Sequence, residues 1–386
     1  MLLAKGHHLA YCGNIHRGET WPETFGALEE YTLAVKERIH RSGLFGIGLR
    51  LSDMASRQLS EARALTDFQR WLERHECYVF TINGFPFGQF HGRRVKEQVY
   101  APDWTTSERL EYTKRLFDLL ARLLPPGVEG SVSTVPGSFK EFITTPAQER
   151  EIRSNVFRCV EHVAMQAEKT GRTLHLGVEP EPLCLLETTA ETVEFFDRLR
   201  SEHGNDARIA TCLGVNYDTC HLAVEYEDPH QALANLQRHG IKISKVHLSS
   251  ALKAQPTPGV RAALADFAED VYLHQVVARA AGGGLTRYRD LDAALRSSDA
   301  FEQWRIHFHI PLHCPATTWF DTTADHLLGV LDVLAAQPNL CSHLEMETYT
   351  WEVLPVELKS RSVVDHLTSE YEWCLEQLGR RGLGRR

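Results

Sequence analysis

Strand-sized apolar runs alternate with longer segments of helical periodicity along the whole chain, and this alternation narrows the fold more than any other feature. Strands separated by helices must pair in parallel through right-handed crossovers. The sequence predicts strands at 9–14, 45–52, 77–83, 128–134, 173–179, 210–218, 243–249, 305–310 and 342–349. Helix 105–124 opens with Thr105 and Glu108 at capping-box spacing and stops at Pro125-Pro126. Helix 146–170 has Pro146 in its first turn, an apolar stripe of Ile152, Val156, Cys159, Val160 and Val163, and Gly171 at its end. Helix 189–203 repeats the capping box with Thr188 and Glu191.

So many repeats of one unit point to an α/β fold, a (β/α)8 TIM barrel, with a doubly wound open sheet as the alternative. A barrel with insertions accommodates 386 residues, so one domain is expected over 1–386. Nine strands are read where eight are wanted. The segment 305–310 is therefore a short strand or an extended loop after the seventh. The largest insertion, about 250–304, contains Pro256, Pro258 and Gly282-Gly283-Gly284; it is expected to carry two or more helices and to cover the barrel mouth.

Side chains alternate faces along a strand. In 173–181, Leu174, Leu176 and Val178 oppose His175, Gly177, Glu179 and Glu181. In 213–218, Leu213, Val215 and Tyr217 oppose Gly214, Asn216 and Asp218. Val246 and Leu248 oppose Lys245, His247 and Ser249; Leu344 and Met346 oppose Glu345 and Glu347. Ile306, Phe308 and Ile310 oppose His307 and His309, and Ile47, Leu49 and Leu51 oppose Gly46, Gly48 and Arg50. The apolar faces belong under the helices. The other parity, small first and ionisable near the C-terminal ends, belongs to the barrel interior and mouth, where sites of this fold sit.

A single strand-end Glu reads as a loop cap, and a single strand His as a hydrogen-bonded core residue. Four or five strands sharing one parity and one end are a different matter. Several buried carboxylates need a cation or one another's protons. Carboxylate and imidazole together suit a divalent metal, Mn²⁺, Zn²⁺ or Mg²⁺, with the imidazoles favouring the first two.

Charge bears on the ligand. Lys and Arg number 42 against 51 Asp and Glu, a formal charge of −9. That balance points away from nucleic acid and toward a small metabolite. Apolar runs are only strand-sized, so no membrane span is expected. Nine cysteines without a CxxC pair, behind a start too short in apolar length for a secretory signal, imply reduced thiols and a cytoplasmic location.

Particular stretches also resemble a known superfamily. Asp218-Thr219-Cys220-His221 after a β-run, followed by Val246-His247-Leu248-Ser249, resembles the sixth and seventh strand ends of xylose isomerase-like barrels. That group includes sugar isomerases, ketose epimerases and endonuclease IV. Val178-Glu179-Pro180 resembles its fifth-strand metal carboxylate, and Glu347-Thr348 its eighth. A closer likeness is to the EboE-type metabolite-traffic family within it. The stretches concerned are Tyr11-Cys12-Gly13-Asn14-Ile15-His16, Asn83-Gly84-Phe85-Pro86-Phe87-Gly88, Val95-Lys96-Glu97 with Tyr100-Ala101-Pro102-Asp103-Trp104, and Glu345 through Pro355. That family's name records a role in moving a metabolite precursor and specifies no reaction.

The resemblance implies a first metal shell of Glu179, Asp218, His247 and Glu347. It gives His221 a substrate oxygen or a second metal. His307-Phe308-His309 resembles a pair that holds a second metal in some members, although an acid is missing here. Glu181 and Glu345 share the inward parity and stand as alternative ligands. Asn14, His16, Arg50, Asn83 and His91 are candidates for the substrate side. In isomerases and epimerases of this type a metal grips two substrate oxygens while carboxylates move a proton at the adjacent carbon. Glu179 and Glu347 take that role here. Two other readings are open: a non-catalytic metabolite carrier working with partner proteins of its pathway, and an endonuclease IV-like phosphodiesterase. The latter needs three metals and a basic rim, for which Arg93-Arg94 with Lys96 is the only local basic cluster near a predicted strand end.

Overall fold

Eight strands close on themselves in the computed structural model, which describes residues 1–359 and 361–385. In chain order they are His8–Cys12, Phe45–Arg50, Cys77–Asn83, Gly130–Thr134, Leu174–Val178, Leu213–Asp218, Lys242–Leu248 and His343–Met346. All pair in parallel, and the first registers against the eighth through His8↔His343 and Leu9↔Leu344, completing the ring. The chain is a closed (β/α)8 barrel; the open-sheet alternative is excluded.

Local signals set the helices. Pro146 opens Pro146–Thr170 and Gly171, at φ 65°, ends it in the left-handed region that a side chain resists. Thr188 accepts from the Glu191 amide while Glu191 Oε2 accepts from the Thr188 amide, starting Thr189–Glu202. One start differs from expectation. Asp103 Oδ1 accepts from the Thr105 amide at 2.9 Å and holds Thr105 in a turn, so Thr106 caps Ser107–Leu123 instead. The outward parity of the strands, Leu176, Val178, Val246, Leu248 and Leu344 among them, is fully buried beneath these helices. Burial of each such side chain contributes about 1.5–3 kcal/mol.

The segment 305–310 joins no barrel position. Gln303–Ile306 is instead the central strand of a separate five-stranded antiparallel sheet, in the order Leu285–Tyr288, Val276–Arg279, Gln303–Ile306, Leu252–Ala254, Asp321–Thr322. This sheet lies between the seventh strand and the barrel helix Ala324–Ala336, together with two short helices, Pro258–Leu264 and Leu291–Arg296. It therefore runs past residue 304. It has its own core, with Leu252, Val276, Trp304, Ile306, Phe308 and Phe320 clustered apart from the barrel's. After Ile306 the chain leaves the sheet, and the Ile310 amide donates to Ser250 O at 2.9 Å, which carries His307 and His309 over the end of the seventh strand.

All nine cysteines are free. Among the described residues no helix is long and apolar enough to cross a membrane.

Candidate metal centre

Register brings the polar residues together before any side chain is considered. Asp218 pairs with His247, and His247 with Glu345, across three adjacent strands. Glu179 follows the fifth strand directly, and Glu347 the eighth.

Asp218 anchors the cluster. It caps helix Thr219–Val224. Its Oδ1 accepts from the amides of Cys220 at 2.7 Å and His221 at 3.1 Å and from Ser249 Oγ at 2.6 Å. Its Oδ2 accepts no hydrogen bond, although the residue is fully buried. That oxygen lies 3.5 Å from His247 Nδ1, which is also 3.0 Å from Glu179 Oε1 and 2.7 Å from Glu347 Oε2. One ligand atom from each of Glu179, Asp218, His247 and Glu347 lies within 4.8 Å of the other three. The other Glu347 oxygen is pinned by Asn14 Nδ2 at 2.6 Å.

Three carboxylates at 7% exposure or less, side by side, need positive charge among them or shared protons. Burial alone would lower the His247 pKa, but Glu347, Glu179 and Asp218 outweigh it and hold it well above the ordinary value. Burial likewise pushes Asp218 up, and His221, His247 and His309 overcome that, keeping its carboxyl well below the usual range. Glu347 goes the other way: burial raises it against the pull of His247, and Glu179 adds to the rise. The donor set, three carboxylate oxygens and one imidazole nitrogen with a free oxygen on Asp218, fits a divalent cation.

A second group of unshared donors lies alongside. His221 Nδ1 donates to Pro180 O at 3.0 Å and His309 Nδ1 to Glu347 O at 3.0 Å, which leaves both Nε2 atoms as lone pairs. His307 Nδ1 is bonded to Gln275 Oε1 at 2.8 Å, and its Nε2 has no partner. Glu181 Oε1 accepts from Tyr100 at 2.6 Å, and its Oε2 has no partner. Burial, reinforced by Glu179, Asp218 and Glu347, pushes Glu181 well above the carboxylate range. Burial pulls His221 down to about 4. Donor atoms of Glu181, His221 and His307, and again of Asp218, His221 and His309, lie close enough to hold an ion. The insertion thus supplies His307, His309 and, through Gln275, the orientation of His307.

Other candidates lie elsewhere. Glu345 sits one layer deeper, 3.2 Å from His247 Nε2 on the face away from the cluster, and bonds Lys245 Nζ at 2.6 Å. Asn83 belongs to the same layer, donating to Glu345 Oε1 at 2.8 Å. Arg50 donates to the carbonyls of Gly18 and Gly88, and His16 bonds the Tyr11 hydroxyl and stacks on Tyr31. Arg50, His16 and His91 all line a separate cavity of about 650 Å³. His91 bridges Asn14 O at 2.6 Å and the Tyr272 hydroxyl at 2.5 Å. Of the substrate-side candidates, Asn14 reaches the cluster directly. Its cavity, about 50 Å³, is lined by Asn14, Glu179, Glu181, His221, His307 and Glu347 and by the apolar Phe90, Val99 and Leu273.

Sequence reasoning missed three contributors. Tyr100 was visible only within a quoted motif, and nothing marked Gln275 inside the insertion. Lys245 carried the inward parity but was given no role. Lys96 is not free to form a basic rim, because its Nζ is bonded to Asp290 at 2.7 Å and to Glu269 O at 2.7 Å.

Comparison with known proteins agrees with this fold. A solved xylose isomerase-like TIM barrel protein from Mycobacterium smegmatis, in complex with magnesium, aligns over 99% of both chains at 14% identity with a TM-score of 0.55. A xylose isomerase domain protein from Planctomyces limnophilus covers 97% of each chain at 12% identity and 0.53. An L-ribulose 3-epimerase covers 99% of this chain and 96% of its own at 14% identity and 0.52. No curated protein matches the sequence. The family model described as xylose isomerase-like TIM barrel matches residues 37–330, well over half of the sequence, and the chain belongs to that family.

Proposed function

We propose that this protein is a divalent-metal-dependent enzyme of isomerase or epimerase type, acting on a small sugar-like or secondary-metabolite precursor with two adjacent oxygens. The observation that carries it is the four-residue cluster, in which Asp218 spends one oxygen entirely on local hydrogen bonds and turns the other toward Glu179, His247 and Glu347. The epimerase and the magnesium complex among the structural relatives support the reading.

Glu179, Asp218, His247 and Glu347 would hold the cation. A divalent ion there would supply Lewis-acid polarisation of a carbonyl and its neighbouring hydroxyl, acidifying the C–H of the hydroxyl-bearing carbon beside the carbonyl. Glu179 and Glu347 move the proton at that carbon, one from each side. Asn14 fixes the Glu347 carboxylate for that transfer by holding Oε1 at 2.6 Å. His221 and His309 present acceptor atoms, and Glu181 a carboxyl oxygen without a hydrogen-bond partner among the described residues, for substrate hydroxyls or for a second ion. The apolar lining of Phe90, Val99 and Leu273 would limit water at the reacting carbon. Within the family we assign the chain to the EboE-type metabolite-traffic group, on the stretches around Asn14, Asn83, Tyr100 and Glu345–Pro355.

The test is metal analysis of purified protein, followed by incubation in D₂O with a panel of ketoses and of terpenoid and indole metabolites. Deuterium wash-in at one carbon, dependent on Mn²⁺, Zn²⁺ or Mg²⁺, is the expected result. Metal-dependent binding without wash-in would make the protein a carrier. Protein that takes up no divalent ion would end the proposal.

A further inference from the structure

We infer that Glu345, with Lys245 and Gly48, is a positioning device that makes His247 ligate through Nδ1 and holds its ring at one angle. This deepens the metal reading above and rests on it.

The geometry is closed on every side. Lys245 and Glu345 have fully buried side chains. Glu345 Oε1 accepts from Asn83 Nδ2 at 2.8 Å, and Oε2 accepts from Lys245 Nζ at 2.6 Å. The ammonium has two further bonds, to Asn83 Oδ1 at 2.5 Å and Ser133 Oγ at 3.2 Å, so its three hydrogens are all used. Such a satisfied network in the barrel interior has one arrangement available to it.

Glu345 Oε2 also lies 3.2 Å from His247 Nε2. A carboxylate paired with an ammonium can only accept, so Nε2 must carry the hydrogen. Once the ring is neutral, as a ligand must be, the lone pair is on Nδ1, the nitrogen that faces Glu179, Asp218 and Glu347. A carboxylate behind a ligating imidazole fixes its tautomer and raises its basicity.

Gly48 is the independent observation. A Cβ built there would lie 1.8 Å from Glu345 Oε1 and 2.5 Å from its Cδ. The second strand therefore has no side chain where the eighth strand's carboxylate lies. Without that space Glu345 could not stand behind His247.

The experiment uses the full chain with ¹⁵N-labelled histidine. Wild-type protein loaded with Zn²⁺ is expected to show His247 metallated at Nδ1 and protonated at Nε2 by long-range ¹⁵N correlation. Glu345→Gln keeps the shape of the group but removes its charge; its Co²⁺ Kd should rise about 10–100-fold, with an altered visible band. Gly48→Ala displaces the carboxylate without changing any polar group, and should shift Kd in the same direction. Circular dichroism establishes that each variant is folded. Ligation through Nε2, or a folded Glu345→Gln with wild-type Kd and band, would overturn the inference while leaving the metal centre standing. Wild-type protein that binds neither ion would overturn both.

Discussion

His221 and His309 face each other with Nε2 atoms 3.3 Å apart. Each has committed its Nδ1–H to a backbone carbonyl. Two lone pairs at that distance repel unless a proton, a ligand hydroxyl or a cation lies between them. His309→Ala should lower the melting temperature of the metal-free protein, because a fully buried ring and its Nδ1–H bond to Glu347 O are lost. It should shrink the rise in melting temperature that a fixed excess of Zn²⁺ produces, since that rise reports affinity for the folded state. An undiminished rise would place His309 outside metal binding.

Glu347→Gln tests the proton-transfer assignment. The amide preserves the side chain's size, and an oxygen remains to accept from Asn14 Nδ2. Deuterium wash-in should fall by about 10²–10⁴-fold, the usual contribution of a positioned acid or base, with the thermal melt little changed. Wild-type exchange in this variant would remove Glu347 from the reaction.

What the sequence could and could not convey follows from the range of the forces involved. Helix ends were legible where the signal is local, as with Pro146, Gly171 and the Thr188–Glu191 pair. Thr105 misled because its competitor, Asp103, lay just outside the motif being read. Gln303–Ile306 alternates as any half-buried strand does, and alternation says nothing about which sheet a strand joins. The same limit applied at the site. Glu345 and Glu347 share a parity and differ only by about 7 Å along the strand. Which of them meets the other acids depends on Lys245, a long-range partner that no periodicity reveals. Arg50 and His16 have ligand-binding chemistry, but the carbonyls of Gly18 and Gly88 and the Tyr11 hydroxyl occupy them.

Metal uptake should release protons. In the metal-free cluster the acids hold the His247 pKa well above its ordinary value, so at neutral pH Nδ1 carries a hydrogen. A cation at that nitrogen must displace it. Affinity should then rise with pH, about tenfold per unit while His247 stays protonated in the free protein. Calorimetry of Zn²⁺ binding in two buffers of different ionisation enthalpy gives the proton count directly. Zero release at pH 7 would mean that His247 is neutral or is not a ligand.

The Lys245–Glu345 pair should show its sign in the pH dependence of stability. Burial alone would raise the Glu345 carboxyl, but Lys245 and then His247 outweigh it and hold it at about 2 against an ordinary 4.5. Its contribution to wild-type stability is therefore complete above pH 4.5 and is lost as pH falls toward 2. Lys245→Met reverses this. The carboxyl, still buried, is raised above 4.5, so its folded form is tolerated when protonated and penalised as pH climbs. Denaturant unfolding should give a destabilisation of about 3–5 kcal/mol at pH 8, the cost of stranding one member of a buried pair, and a smaller one at pH 5. Adding Glu345→Met should recover much of the loss at pH 8, though not all, because Asn83 loses its partners as well. Equal losses at pH 5 and pH 8 would show that the charge of Glu345 is not what Lys245 holds in place.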